Sequence, residues 1–511
     1  MIRRRGLIAA AIAAPALARA QTDLLPAPRA ARQDDWTAPG YTRDVLIRWG
    51  DRVAFDAPAW DPRVPSVLSA STQFGWDGRI LGVAVPPPAT DNVPRVVLAI
   101  AHPEVWPAMA FAGTDQPAIA AAMQGASLLN LELQRGRWIV VDGGYQARRL
   151  WTRTLCGISG PAADRIGRSV QGVLNVQGGC VTPWGTLLLA EGDPAGWFGR
   201  LSADPAFADD GNAVRFGWVA EVDPLDPLAL PVKRTALGRF PHADVAAAQT
   251  PDGRAVVYLS EGRAFGGLFR FISSGDARVR DALDSGTLSV VRIEGSGVRW
   301  VPLGEGSTLA MADAVARAGG GGFDTPAGLA LDPRGGRLYL ACNGNAARMP
   351  DRVDALNPRA GSEAGHVVAF DIPGGDHTAE RYAGRVLFLA GDPMPDGSRL
   401  SNPETLFCDA SGRLWAGTDQ GGRAGPVADG LYAVAPSTAA PIYLAPVGGA
   451  IGQATILPDG RTMLAMVRRP GAAQGANFDR PATRWPQFSP GSPPRSTLIA
   501  ITRNIGGPPG G

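Results

Sequence analysis

The chain has 511 residues, with 66 Gly, 45 Pro, 45% apolar residues and 7% aromatics. So turn-rich a composition with ample apolar content excludes a disordered or coiled-coil chain and fits a large fold of many short elements. With 49 Lys and Arg against 47 Asp and Glu the net charge is only +2, which excludes the basic surface of a nucleic-acid binder.

Residues 1–20 carry a basic start, a short Ala-rich apolar run and Ala18-Arg19-Ala20, the three parts of a secretory signal peptide. Arg4-Arg5 ahead of Gly6-Leu7-Ile8 also fits a twin-arginine signal. Residues 21–44 are rich in Pro, Ala, Arg and Asp without period and predict an extended arm or linker. No later stretch is long and apolar enough to span a bilayer, so the expected location is periplasmic or secreted.

Residues 45–56 and 95–102 predict strands. Ile119, Met123, Ala126 and Leu129 fall near helical spacing and predict a rim helix within 115–130, with a second short helix over 309–318. A further pattern then repeats. Residues 178–193 read as an apolar strand, a Pro183–Gly185 turn and a second strand ending in Glu191. The same design recurs over 246–262, 328–344, 405–420 and 454–470, turning at Asp252-Gly253, Asp332 to Gly336, Asp409 to Gly412 and Asp459-Gly460.

Hairpins that cannot bury their faces singly must stack, and radial stacking makes a β-propeller. The expected fold is therefore all-β: one propeller over 45–503, of six blades, with long insertions and a few short helices. A strand over 496–502 closes the ring against the first, and 504–511 is a disordered tail. An all-β sandwich is the alternative.

Cys156, Cys180, Cys342 and Cys408 lack metal-type spacing and read as core thiols, although a Cys156–Cys180 disulfide is open. Candidate metal ligands are Glu191, Glu404, Glu261, Asp244 and Asn345, with Asn343 and Asp419, all at or near hairpin ends that approach a channel mouth. They predict an oxygen-only site for one Ca²⁺ or Mg²⁺ ion. Turn capping is the competing reading for all but Glu191 and Glu404. Arg468 and Arg469 are candidate anion binders, with Arg263 and Arg359 behind them.

Several motifs together resemble the PhoX-type alkaline phosphatases. They are Gly178-Gly179 with Thr182-Pro183-Trp184-Gly185-Thr186, Asp223-Pro224 with Asp226-Pro227, Lys233 to Phe240 with His242, Gly365-His366-Val367, Ala390-Gly391-Asp392, and Gly412-Arg413-Leu414-Trp415 with Thr418-Asp419. The resemblance runs from about residue 41 to about 502. It implies a propeller with insertions, twin-arginine export and a phosphomonoesterase site built on an iron and calcium cluster.

The chemical motifs depart from that pattern. The family's Asn-Cys-x-Gly-Gly, whose thiolate is an iron ligand, is Asn175-Val176-Gln177-Gly178-Gly179 here. Its Glu-Glu is Glu191-Gly192, its Phe-x-His-Glu is Phe240-Pro241-His242-Ala243 with Asp244 one position late, and its Arg-Pro-Glu-Asp is Thr325-Pro326-Ala327-Gly328. Glu261-Gly262 stands for Asp-Asp, Ala101-His102-Pro103 with Glu104 adjacent for Asn-His-Glu, Asn343-Gly344-Asn345 for Thr-Asn-Asn, and Arg468-Arg469-Pro470-Gly471 for Gln-His-Pro-Gly. The expectation is thus a PhoX-like phosphatase of weak or lost activity, with calcium as the conceivable metal and iron not expected without the thiolate. Its partner would be a small phosphoester or another small ligand, and the protein a monomer. The alternatives are a non-catalytic ligand-binding propeller, or a lactonase-like hydrolase with one metal at Glu191, Asn343 and Glu404.

Overall fold

The structure, a computed structural model, describes residues 32–208, 210–304, 307–393, 399–421 and 428–510. The signal-peptide reading of 1–20 and most of the arm reading lie outside these residues.

The repeated hairpins are set locally by their turns. The Asp409 carboxylate accepts the N–H groups of Ser411 (2.9 Å) and Arg413 (3.0 Å), and Asp459 accepts those of Arg461 and Thr462. Asp332 does the same for Arg334 (3.0 Å), while the Thr182 hydroxyl accepts the Thr186 N–H (3.0 Å) in the Pro183–Gly185 turn. Such side-chain to backbone bonds reverse the chain without tertiary help.

The hairpins stack into six blades. From the axis outward, blade 1 is Arg79–Ala84, Arg95–His102, Gly125–Gln134 and Arg137–Val140, and blade 2 is Val176–Val181, Leu187–Glu191, Val219–Val222 and Val232–Arg234. Blade 3 is His242–Gln249, Arg254–Glu261, Leu268–Asp276 and Gly286–Glu294; blade 4 is Pro326–Leu331, Arg337–Cys342, His366–Asp371 and Arg381–Leu389. Blade 5 is Pro403–Cys408, Leu414–Thr418, Gly430–Ala435 and Thr438–Leu444. Blade 6 takes Ala450–Ile456, Met463–Arg468 and Thr497–Arg503 from the end of the chain and Tyr41–Arg48 from its beginning. Inner strands neighbour one another around the circle, the last lying beside the first. Apolar clusters fill the wedges between blades, for example Ile47, Phe74, Leu98, Leu464, Met466 and Leu498 between blades 6 and 1.

Blade 1 has no counterpart among the five hairpins of the repeat, because its connection, residues 85–94, is Pro-rich and long. Pairing begins at Trp36–Thr37 against the outer strand of blade 5, so part of the expected arm already belongs to the sheet system. The expected tail is fastened: Asn504 donates to the Gly40 carbonyl (2.9 Å) and the Gly510 N–H to the Tyr41 hydroxyl (2.8 Å). The expected rim helix is shorter, Pro117–Met123, and Ala126 and Leu129 sit in the following strand, which is buried on both faces and shows no alternation. The second helix runs Met311–Ala318. All four cysteines are free thiols.

The inserted helices Pro107–Ala110, Pro117–Met123 and Ala195–Arg200 share one apolar cluster with Phe207, Phe216, Ala472 and Phe478. They collect on the face where the second strands of the blades end. No helix among the described residues is long and apolar enough to cross a membrane.

Candidate functional site

One feature recurs at that open face. The inner hairpin of every blade slips register at the start of its inner strand: between Ile80 and Gly82, Val176 and Gly178, His242 and Asp244, Pro326 and Leu329, Pro403 and Thr405, and Ile451 and Ala454. A bulge re-aims the side chain it carries, so six bulges ring the channel mouth. Their residues include Leu81, Gln177, Ala243, Ala327, Glu404 and Gln453, of which Glu404 alone is ionisable.

Close backbone approach accompanies the ring. A Cβ on Gly178 would lie 2.5 Å from both the Ala243 carbonyl oxygen and Asp244 Oδ1, and one on Gly328 would lie 2.7 Å from the Glu404 carbonyl oxygen. The inner strands pack too tightly there for any side chain.

Below the mouth the channel is a cavity of ≈ 590 Å³, and among the described residues that line it Asp244 alone is charged. Asp244 accepts the N–H of Gly179 from blade 2 (3.2 Å) and that of Leu329 from blade 4 (2.9 Å). Its Oδ2 lies 2.9 Å from Nη2 of Arg79, which reaches in from blade 1 as an ion contact, and Arg79 Nη1 is 3.9 Å from Glu404. Burial pushes the Asp244 and Glu404 carboxyls up despite the guanidinium beside them.

Above the mouth lies a second cavity, of ≈ 410 Å³, lined by Glu104, Trp106, Gln177, Asn343, Asn402, Glu404, Asp419, Gln420, Gly421, Arg468 and Arg469. Arg468 forks onto Asp77 (2.8 and 2.6 Å) and donates to Asp419 (3.1 Å). Arg469 donates to Asp419 and Glu104 (3.2 Å) and lies over the Trp106 ring, 4.6 Å from its centroid. Burial would raise Asp419, but Arg469 and Arg468 outweigh it and hold that carboxyl low. The two arginines expected to bind an anion are therefore already bound to carboxylates of the chain itself.

The predicted ligands scatter. Glu191 is fully buried away from the cavity: it accepts the N–H groups of Leu174, Gly217 and Trp218 (2.9 to 3.1 Å), and Lys233 Nζ at 2.8 Å. Glu261 accepts the Gly267 N–H (2.9 Å) and pairs with Arg263 at 2.6 Å. Asn345 is buried with its Oδ1 on the Ala347 N–H (3.0 Å), a turn cap, and Arg359 pairs with Asp392. Only Asn343 and Asp419 of the expected set join Glu404 at the cavity. Among the described residues no three His, Cys, Asp or Glu are grouped so as to hold a metal ion. The Cys180 thiol is pushed up by burial and by Asp244 and stays protonated.

Asp77, Arg79 and Glu104 complete this face, and only Glu104 had drawn notice from the sequence. The partners of Asp77 and Arg79 are remote in the chain, with 391 positions between Asp77 and Arg468, and no local pattern marks them.

The model of the family described as alkaline phosphatase PhoX matches residues 27–471. The chain belongs to the PhoX alkaline phosphatase family. The structure of Pseudomonas fluorescens PhoX in complex with vanadate, a transition state analogue, superposes with a TM-score of 0.86 at 27% identity, covering 95% of this chain and 98% of that one. Far weaker likenesses are a protein of unknown function from Dyadobacter fermentans DSM 18053 (TM-score 0.41, 10% identity, 91% and 100% covered) and a gluconolactonase from Xanthomonas campestris (0.30, 12%, 82% and 94%). At such scores neither bears on the site. None of the curated proteins matches the chain.

Proposed function

We propose that this PhoX-family propeller is an exported monomer that binds a small molecule in its open-face cavity and hydrolyses phosphomonoesters weakly or not at all. The observation that carries the reading is the pairing of Asp77, Asp419 and Glu104 with Arg468 and Arg469, and of Asp244 with Arg79. A cluster of hard cations needs six or more oxygen donors on each ion and the charge of several carboxylates. Here that charge is met by guanidinium groups, two bulge positions of the ring are Ala243 and Ala327, and no thiolate is at hand. The donor set thus does not fit an iron and calcium cluster, and no step is derived through one. Calcium at Glu191 or Glu261 is equally unsupported, since their oxygens already accept backbone N–H groups and a cationic side chain. Among the described residues both guanidiniums that line the cavity, Arg468 and Arg469, are paired with carboxylates, so neither is free to take up the equatorial charge of a phosphoryl transition state.

The test is elemental analysis of the purified protein beside p-nitrophenyl phosphate turnover with and without added Ca²⁺. The expected result is substoichiometric iron and calcium and turnover at least ~10³-fold below that of an intact phosphatase, the loss typical of missing charge stabilisation. Stoichiometric metal with full turnover would refute the reading. The export and periplasmic location are tested by fractionation of cells in which Arg4-Arg5 is replaced by Lys-Lys.

A further inference from the structure

We propose that the channel below the mouth is a binding pocket in its own right, entered from the face where the hairpins turn, for a slender uncharged molecule with an apolar body, such as a medium-chain alcohol. The inference is independent of the open-face cavity and of how that cavity is read.

Four observations carry it. The first is that the two ends of the channel differ. At the mouth Arg79 reaches in from blade 1, its Nη2 2.9 Å from Asp244 of blade 3, its Nη1 donating to the Ala243 carbonyl (3.3 Å) and lying 3.9 Å from Glu404 of blade 5. One guanidinium thus ties three alternate blades across the axis, and its side chain is only 3% exposed. At the other end the lining includes Val85, Pro183 and Pro458, all exposed, and that end is the entrance. The second is the wall. Every blade contributes one partly exposed apolar side chain to it: Val83, Val181, Ala247, Leu331, Phe407 and Ile456, from blades 1 to 6 in turn. Each inner strand is also the last of its sheet, so its axis-side N–H and C=O groups have no strand partner and suit a hydroxyl.

The third is charge. The stretches that line the channel, within 80–85, 179–183, 244–247, 329–331, 406–408 and 453–458, fall wholly among the described residues, and Asp244 is their one charged side chain. Its oxygens accept the Gly179 and Leu329 N–H groups and Arg79 balances its charge, so it is already satisfied. Burial pushes the two lining thiols, Cys180 and Cys408, up and keeps them uncharged. A ligand carrying either sign of charge into this wall gives up its hydration for no counter-ion. The fourth is the bore. The inner strands are six to eight residues long, roughly 20–26 Å at ~3.3 Å per residue. A volume of ≈ 590 Å³ spread along them is a tube ~25 Å² in section, which suits a chain, and it lies within the ~300–1,000 Å³ usual for small-molecule sites.

The experiment is isothermal titration calorimetry of the full mature protein with 1-hexanol and 1-octanol, and in parallel with octanoate and octylammonium. 1-Octanol is expected to saturate one site with a Kd below ~1 mM, and 1-hexanol, two methylenes shorter, to bind ~10-fold more weakly. Octanoate and octylammonium should each bind at least ~10-fold more weakly than 1-octanol. Ala247→Phe, which fills the lumen from blade 3, should weaken 1-octanol at least ~10-fold while far-ultraviolet circular dichroism stays unchanged. Phe55→Ala, which removes a 75% exposed ring from the outer surface, should leave the binding as it was and so separates the channel from adhesion to exposed apolar residues. Should Ala247→Phe fail to fold, Ala247→Met narrows the same lumen with a flexible side chain and is read in the same way. The absence of saturable binding of 1-octanol overturns the proposal. So does binding of either charged analogue as tight as that of 1-octanol, or binding indifferent to the folded Ala247 variant. Metal content and phosphatase turnover are read separately, so failure here leaves the proposed function standing.

Discussion

Lys233 is the only lysine of the chain, and it is spent on an interior contact. Its ammonium lies 2.8 Å from Glu191, donates to the Arg215 carbonyl at 3.0 Å and sits 3.9 Å from the centroid of the Phe216 ring. Removing one member of so buried a pair strands the other's charge, which costs ~3–5 kcal/mol. Lys233→Met should therefore lower the unfolding free energy by that order in urea denaturation, with metal content unchanged. A loss below ~1 kcal/mol would mean that Glu191 does not depend on it.

His242 gives the pH dependence at this scale. Burial holds its imidazole down to about 3, against an ordinary 6.5, and the hydrogen bond to the Glu191 carbonyl (3.0 Å) only partly opposes this. The folded ring is neutral, whereas the unfolded ring binds a proton below pH 6.5. This share of stability is complete above pH 6.5 and is lost as pH falls towards 3. Unfolding free energy measured from pH 7 to 4 should fall, and His242→Asn should make the slope shallower by up to ~1.4 kcal/mol per pH unit.

At the scale of the element, the bulges and the glycines beside them decide what can face the channel. Gly178 is held by the Ala243 carbonyl and Asp244 at 2.5 Å from its missing Cβ, with backbone on one side that cannot yield. Gly178→Ala should cost more than ~2 kcal/mol, the range of overpacked sites. Gly196, in the helix Ala195–Arg200 with open space around it, is the control: Gly196→Ala should stabilise by ~0.5–1 kcal/mol. Thermal melts of the two variants check both values. Turn chemistry at this scale was legible because an Asp and the two or three N–H groups it accepts lie within four residues. The hairpin of blade 1 lacks that signal in its Pro-rich connection and was not read as part of the repeat.

For the whole molecule, the decisive pairing joins the two ends of the described chain: Tyr41–Arg48 lies antiparallel to Thr497–Arg503, and Asn504 and Gly510 add hydrogen bonds to Gly40 and Tyr41. A ring held this way has no intermediate stopping point, since opening one blade exposes the wedges on both sides. Deleting residues 497–510 should abolish cooperative unfolding in calorimetry and leave an aggregation-prone chain, while deleting the end of the tail alone, 506–510, should lower the melting temperature by only a few degrees.

The sequence by itself determined the repeat, the closing strand and the family, because each is written in residues close together in the chain. Glu191 at the exit of an apolar strand looked like a ligand, because its partner Lys233 lies 42 positions away in the chain. Tertiary structure alone decided that Glu191 and Glu261 turn away from the channel, that Asp244 is aimed into it by a bulge, and that Arg468, Arg469 and Arg79 are consumed by Asp77, Asp419, Glu104 and Asp244. Those pairs form between different blades. Which charges meet at a channel mouth depends on how six separate strands are brought around one axis, and no local spacing records that.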